Sequence, residues 1–404
     1  MPDKNNDIAG AIVVGGGPAG LTAAIALAKG GISTVLVGKR PARPDNRTTA
    51  LLAGSVTALR TLGIWGRCAA QAAPLKIMRL VDDTGRLWRA PEVKFEATEI
   101  GLDAFGHNIE NRHLIDALVH CARSLPQLRL VEDEVAAVVT GSDAVVTSLK
   151  NGGTVRAPLV IGADGRKSMC RDAAQIKIGE RSYRQLALTV CLKHSRPHRD
   201  TSTEFHTPSG PFTLVPLPGS RSSLVWVIDP GAADEVAALD DTGLADEIER
   251  AAHSILGKIE VEPGRGMFPL QVATARHFAD KRVALVGEAA HVIPPIGAQG
   301  LNLGLRDAAT IGELAVAACR DGRDIGGADV LANYDRLRRA DIYSRTFAVD
   351  LLNRTLLSDF LPIQGARGLG LYLVDRIGPL RRAVMREGMA PSRALPRLMR
   401  GEVL

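Results

Sequence analysis

A chain of 404 residues that is 46% hydrophobic, 23% charged and 4% aromatic can fill two or three domains around an Ala/Val/Leu core, which excludes a disordered class. Its formal net charge of +6 lies wholly in residues 331–404, where 13 arginines and no lysine face 7 acidic residues. That placement suits either an anionic membrane or protein surface, or plain solvated helix faces, and no nucleic-acid partner is expected. No apolar run approaches the roughly 18 residues of a bilayer span, and the polar start MPDKNNDIAG is no signal peptide, so a cytoplasmic chain is expected.

In chain order, Ala9 to Val14 reads as a strand, Gly15 to Gly20 as a glycine turn, Pro18 to about Lys29 as an Ala/Leu helix, and Ser33 to Val37 as a second strand. Strand, turn, helix, strand is the βαβ order of a parallel sheet. Helices are predicted from Thr48 to about Leu62 and from Asn111 to Ser124, the latter with Leu114, Leu118 and Cys121 on one face. Short β runs fill Leu128 to Ile161. From about Gln175 to Gly266 the composition changes to alternating strands (Thr213 to Leu217, Ser223 to Ile228), proline-rich turns and an acidic amphipathic helix from Asp241 to Leu256, which marks an inserted domain. Parallel-sheet character returns at Arg282 to Gly287, followed by a long helix from about Leu301 to Arg320. The last quarter is helical, with Pro362, Pro379 and Pro391 as punctuation.

GGGPAG supplies G-x-G-x-x-G through Gly15, Gly17 and Gly20. The first glycine permits the tight turn, the second lets backbone approach a pyrophosphate, and the third lets helix and strand pack closely. Alone the pattern is weak; between a strand and a helix it points to a dinucleotide. One feature departs from the fingerprint. The second strand ends TVLVGKR, so Gly38 stands where an acidic residue normally bonds the adenosine ribose, with Lys39 and Arg40 as the neighbouring candidates to compensate. The cysteines Cys68, Cys121, Cys170, Cys191 and Cys319 lie far apart, and no histidine has metal-ligand spacing. Reduced, mostly buried thiols and no metal site are expected.

Two more motifs follow: APLVIGADGRKSMCR, with Asp164 and Gly165, and RVALVGEAAHVIPPIGAQGLNLGLRDAA, with Gly287 and Glu288. With the glycine fingerprint ahead of them, they resemble the FAD-dependent aromatic hydroxylases of the para-hydroxybenzoate hydroxylase class. Segments such as DNRTTALLAGSVTALRTLGIW, IENRHLIDAL, YDRLRRAD and the C-terminal LLNRTLLSDFLPIQGARGLGLYLVDRIGPLRRAVMREG extend the likeness over nearly the whole chain. They make it most similar to the ubiquinone-biosynthesis hydroxylases (the UbiH/UbiF/UbiI group).

The resemblance implies an α/β fold: a Rossmann-like FAD-binding domain over 1–80, 108–174 and 267–345, an inserted β-sheet substrate domain over 81–107 and 175–266, and C-terminal helices over 346–404. It assigns the cofactor site to Gly15, Gly17, Pro18, Ala19, Gly20, Arg47, Arg112, Val135, Asp164, Gly165, Gly287, Glu288, Pro294, Gly297, Gly300, Leu301 and Asn302. Glu288 replaces the usual Asp and is one methylene longer; by resemblance it holds the flavin ribitol. The helix starting near Leu301 and Asn302 aims its N–H groups at the flavin ring, favouring the anionic reduced form.

As co-substrate the resemblance implies NAD(P)H, and a single fingerprint leaves it to visit the flavin transiently. O2 then adds to the reduced flavin, and the hydroperoxide transfers oxygen to a polyprenyl phenol. No acid–base residue is named; His291 is read as structural rather than catalytic. Phe205, Phe212, Leu214 and Trp226 are the substrate-pocket candidates, against the plainer reading that they are core. In the tail, Leu380, Ala383 and Val384 are apolar while Arg381, Arg382 and Arg386 are expected to be exposed, which suits docking at the inner membrane or at other quinone-biosynthesis proteins. Two other readings stand beside this one: a hydroxylase of a small soluble aromatic, and a flavin-poor scaffold subunit suggested by Gly38 and Glu288.

Overall fold

The computed structural model describes residues 6–39, 47–85, 91–357, 373, 376–389 and 395–404. Two sheets carry the architecture. The first has six strands, in the order 279–280, 283–285, 159–162, 11–14, 34–37, 128–131, parallel except for the first pair. Ala11–Val14, Thr34–Val37 and Leu159–Gly162 are buried at every residue, as expected of parallel strands covered on both faces, which explains their unbroken Val/Ile/Leu runs. Helices Pro18–Lys29, Asn111–Arg123 and Gln299–Arg320 and the antiparallel meander of 135–140, 145–149 and 154–157 bury their apolar residues in this one core. Small residues set the spacing of the helices: a Cβ on Gly312 would come within 3.0 Å of the Ala26 methyl.

The second sheet is mostly antiparallel and has nine strands. Its backbone is the 17-residue strand Ile178–His194, which pairs with Arg221–Ile228 on one side and Gly266–Ala275 on the other, with a register shift between Ser182 and Leu186. Gly210–Leu217, Thr201–Thr207, Ile77–Asp82 and Val93–Glu96 continue it outward. The sheet therefore reaches a few residues beyond 81 and 266, where the sequence placed the boundaries of the insertion. Helices Pro230–Ala238 and Asp241–Ala251 cover one face and create a second core with Leu188, Phe205, Phe212 and Leu224.

Three readings are corrected. Thr48 to Leu62 is not one helix: Thr48–Leu52 is a strand paired with Gly106–Glu110, and the helix covers only Ala53–Thr61. The paired β-branched threonines and the open edge of 106–110 outweigh the helical look of Ala-Leu-Leu. The acidic helix stops at Ala251 rather than Leu256. In the C-terminal region, one helix runs unbroken from Ala328 to Leu357, across the expected boundary at 345.

A polar joint fixes the second sheet to a small three-stranded sheet in which Gly106–Glu110 lies between Thr48–Leu52 and Ala72–Pro74. The Arg221 guanidinium donates to Glu262 at 2.8 and 2.6 Å and to Glu110 at 3.3 and 3.4 Å. Burial alone would raise the Glu110 carboxyl, but Arg221 outweighs it and holds the group below the usual range. Beside it, the Asn108 amide donates to the Pro216 carbonyl at 2.9 Å and to Ser223 at 3.0 Å.

Candidate functional site

The carboxyl ends of the parallel strands open into a single cleft of about 1210 Å³ that continues across one face of the second sheet. Open α/β sheets bind ligands at this edge. The three motifs meet there. Gly15, Gly17, Pro18, Ala19 and Gly20 line it from the first turn, Asp164 and Gly165 from the second, and Gly287, Glu288, Pro294, Gly297, Gly300 and Leu301 from the third. Arg47 and Val135 line it as well.

The turn geometry explains the glycines. Gly15 has φ of +119°, and a Cβ there would overlap the Ala163 carbonyl; a Cβ on Gly20 would overlap the Gly15 carbonyl oxygen. Strand, turn and helix therefore touch backbone to backbone. At Gly17 the opposite holds: a Cβ would meet no protein atom within 4 Å, so the backbone faces open space at the N-terminus of Pro18–Lys29. No acidic residue occupies that first helical turn, and the free N–H groups there suit a pyrophosphate.

Asp164 points its carboxylate into its own loop, accepting from Ser168 Oγ at 2.6 Å and from the Cys170 N–H at 3.1 Å. Burial, then the Asp164 charge, push the Cys170 thiol well above its ordinary value, so this cysteine is inert. Glu288 stands at the cleft edge, where Arg166 donates to both its carboxylate oxygens at 3.3 Å. Arg47, just before strand Thr48–Leu52, lies 6.0 Å from the centroid of the Phe268 ring of the second sheet.

The third motif rests on a buried ion network that the sequence did not disclose. Asp307, fully buried, accepts from the Gly287 N–H at 3.0 Å, from His291 Nε2 at 2.7 Å and from Arg338 Nε at 2.7 Å. Burial alone would raise its carboxyl; its interactions with His291 and Arg338 overcome this and hold it low. Asp341 is held low in the same way, against burial, by Arg338, Arg306 and Arg345. Tyr334 donates to the Leu285 carbonyl at 2.6 Å and ties the same helix to the strand before the turn. His291 is thus a buried strut. The only sequence signal was a charged Arg306-Asp307 pair inside an apolar helix.

Some expected site residues lie elsewhere. Arg112 donates to Glu110 at 2.8 Å and does not line the cleft; its neighbour Asn111 does, accepting from Thr49 Oγ1 at 2.6 Å. Asn302 is buried behind the cleft. Its amide donates to the Ala50 and Ala298 carbonyls, and its oxygen accepts from the Leu52 N–H and Ser55 Oγ, so it staples the loop at Ala298 to strand Thr48–Leu52. Phe205, Phe212 and Leu214 are 2%, 0% and 2% exposed in the second core, and Trp226 packs edge-on against Phe212. These four face the covering helices. Strand side chains alternate, so the cleft is lined instead by their neighbours Thr213, Val215 and Val225, with Met78, Phe105, Phe268 and Leu270.

The tail also differs from expectation. Arg381 is not exposed: it pairs with Glu99 at 2.6 Å and lies 4.7 Å over the Phe95 ring. Met385 is buried against Ala97 and Phe105, so helix Gly378–Met389 caps the end of the second sheet next to the cleft. No helix among the described residues is long and apolar enough to cross a membrane.

A family model described as an FAD binding domain matches residues 9–344, which spans all three motifs and the second sheet. The chain belongs to this FAD-binding family. FAD is accordingly its cofactor. Ubiquinone hydroxylase UbiL of Rhodospirillum rubrum is 37% identical over 98% of this chain and 93% of its own length. The 3-demethoxyubiquinol 3-hydroxylase of Escherichia coli is 32% identical over 96% of the chain and 99% of its own. Among solved structures, p-nitrophenol 4-monooxygenase PnpA of Pseudomonas putida superposes with a TM-score of 0.77 at 21% identity, covering 96% of this chain and 100% of that one. HpxO of Klebsiella pneumoniae, complexed with FAD, gives 0.74 at 20%, covering 94% and 98%. These two show a shared fold.

Proposed function

We propose that this chain is an FAD-dependent monooxygenase that hydroxylates the aromatic ring of a polyprenyl phenol on the route to ubiquinone, with NAD(P)H and O2 as co-substrates. The observation that carries the reading is the continuity of the cleft: a glycine-lined dinucleotide end opens directly onto an apolar sheet wall. Two relatives of matching length named as ubiquinone or demethoxyubiquinol hydroxylases support the substrate class.

In this reading Gly15, Gly17 and Gly20, with Pro18 and Ala19, hold the pyrophosphate on the helix N-terminus, while Arg47 and Val135 flank the nucleotide. Asp164 and Gly165 shape the loop beneath. Glu288, which Arg166 holds at the cleft edge, would accept from the ribitol hydroxyls of bound FAD. Residues Pro294 to Leu301 would hold the flavin ring, where the N-terminus of Gln299–Arg320 would stabilise negative charge on the reduced cofactor. Bound FAD supplies the redox chemistry, accepting hydride from NAD(P)H and activating O2 for insertion into an electron-rich ring. Val215, Val225, Phe268 and Leu270 exclude water over the reacting region. Following the sheets and the long helix, we assign the FAD-binding part to 1–76, 108–174 and 276–357, and the substrate part to 77–107 and 175–275.

The C-terminal region serves docking. Leu373, Ile377, Leu380 and Val384 are exposed at helical spacing along one side, and Arg382 and Arg386 are exposed on another. An apolar stripe with arginines on the polar face suits an anionic bilayer surface, from which a polyprenyl substrate would come.

The test is direct. Purified protein should carry near-stoichiometric flavin, oxidise NAD(P)H faster when given a short-chain prenylated phenol, and release a product heavier by one oxygen. Stimulation by simple soluble phenols alone would favour the small-aromatic alternative, and a colourless preparation would favour the scaffold.

A further inference from the structure

The acidic residue missing at Gly38 cannot be restored there, and the structure shows why. A Cβ on Gly38 would lie 2.5 Å from the Gly16 nitrogen and 3.0 Å from its Cα, inside the phosphate turn. Neither strand nor turn is free to move apart, since the Gly15 N–H donates to the Val37 carbonyl at 2.8 Å and the Gly38 N–H to the Val131 carbonyl at 3.1 Å. No side chain fits position 38 as the backbone stands.

A carboxylate does reach this end of the cleft from the next strand. Leu128–Val131 runs parallel to Thr34–Val37 in register, Val131 opposite Val37, so the two strands end at one level. Just beyond Val131, Glu134 lines the same cleft as Gly38, Lys39 and Lys150. Its backbone is fixed: its N–H donates to Asp133 at 2.7 Å, and its carbonyl accepts from the Lys150 N–H at 2.9 Å. Its carboxylate is clasped on both oxygens, by Lys39 at 3.0 Å and by Lys150. Solvent-exposed pairs of this kind contribute little to folding, so stability does not account for the arrangement. Each oxygen keeps a lone pair for a further donor, and Lys150 and Lys39 hold the group ionised. Arg40 lies outside the described residues.

We propose that Glu134 accepts the ribose hydroxyls of the adenosine half of bound FAD, performing from the neighbouring strand the task that Gly38 cannot, with Lys39 and Lys150 as positioning residues that orient its carboxylate. The proposal rests on the FAD reading and sharpens it.

The test uses full-length protein stripped of flavin and titrated by flavin fluorescence, without turnover. Glu134→Gln should raise the Kd for FAD by about tenfold, the size of one charge-assisted hydrogen bond, while FMN, which lacks the adenosine, binds both proteins equally. FAD carrying 2′-deoxyadenosine should bind wild type more weakly than FAD does, yet cost Glu134→Gln nothing further. Unchanged FAD binding in Glu134→Gln would overturn the proposal, as would an equal loss of FMN, which marks a general defect. Wild-type protein that takes up no FAD would instead overturn the cofactor reading itself.

Discussion

The cleft has two walls built on different principles. The nucleotide wall is made of backbone: turns at the ends of parallel strands, where Gly15 and Gly20 touch carbonyls and Gly17 faces open space. The substrate wall is made of side chains from an antiparallel sheet, where Thr213, Val215 and Val225 look into the cleft and Phe212 and Leu214 look away. A backbone surface tolerates almost no residue but glycine, and so leaves a mark in the sequence. A side-chain surface asks only for apolar residues at alternate positions, and its other face asks for the same.

The largest expected effect breaks the nucleotide wall at two neighbouring positions that should fail for different reasons. Gly20→Val places a side chain into the Gly15 carbonyl and 3.0 Å from the Ala163 methyl. It should disturb the turn itself, with loss of both FAD and thermal stability of the apoprotein. At Gly17 a Cβ meets no protein atom within 4 Å, so Gly17→Val is the contrasting variant. Its apoprotein should melt like wild type, yet bind FAD weaker by on the order of a hundredfold, because the added methyls occupy the pyrophosphate position. Calorimetry of both apoproteins and flavin titration separate the two. A destabilised Gly17→Val apoprotein would mean that the open space at this residue is not real.

Next in size is the support behind that wall. Asp307→Asn removes the fully buried carboxylate that Arg338 faces and leaves that guanidinium only Asp341, which should cost about 3–5 kcal/mol in denaturant unfolding. Acid provides the companion measurement. Because Asp307 and Asp341 are held below ordinary carboxylate values in the fold, their contribution is complete above the unfolded-state value of about pH 4 and fades as pH falls through the folded values. Wild type should therefore lose stability progressively below about pH 4, and Asp341→Asn should show a shallower decline. An identical slope in the two proteins would show that the network is not what acid dismantles.

Legibility follows the same division. Pro18–Lys29 could be placed to the residue, because proline at the start and glycine beyond the end mark it; the parallel strands were found from their unbroken Val/Ile/Leu runs. Thr48–Leu52 was not, since its strand character comes from the edge of Gly106–Glu110, 54 or more residues away in the chain. The Asp307–Arg338 pair spans 31 residues, and Glu134 reaches Lys39 across 95. Neither pairing has a local pattern to read. Asn302 shows a subtler miss: the glycine loop that leads into its helix is legible, but its side chain turns away from the cleft to staple that loop to Thr48–Leu52.

The side-chain wall can be tested by exploiting its alternation. Phe212→Ala hollows the second core and should cost about 3–5 kcal/mol of stability, while FAD content and KM for the phenol hold at a temperature where the variant stays folded. Val225→Phe changes the other face. It should leave stability within about 1.5 kcal/mol but raise KM roughly tenfold, the worth of displacing one or two methylenes of bound substrate. If Phe212→Ala raised KM and Val225→Phe did not, the cleft would have to lie on the helix-covered face.

The smallest effect concerns the tail, where the two walls no longer matter and only the outer surface does. Ile377 and Val384 are 43% and 46% exposed, while Met385 and Arg381 on an adjacent side anchor the same helix to Phe105, Phe95 and Glu99. Introducing charge at the first pair should leave that anchor in place. Ile377→Glu/Val384→Glu should thus keep its flavin and its melting temperature, and yet sediment less with vesicles rich in anionic lipid, by about tenfold or more for two lost apolar contacts and two added negative charges. Met385→Ala makes the reciprocal change. It loosens the helix from the sheet, so its thermal stability should fall before its vesicle binding does. Equal vesicle binding by wild type and the double variant would turn the exposed stripe into a surface for another protein or for a further part of this chain.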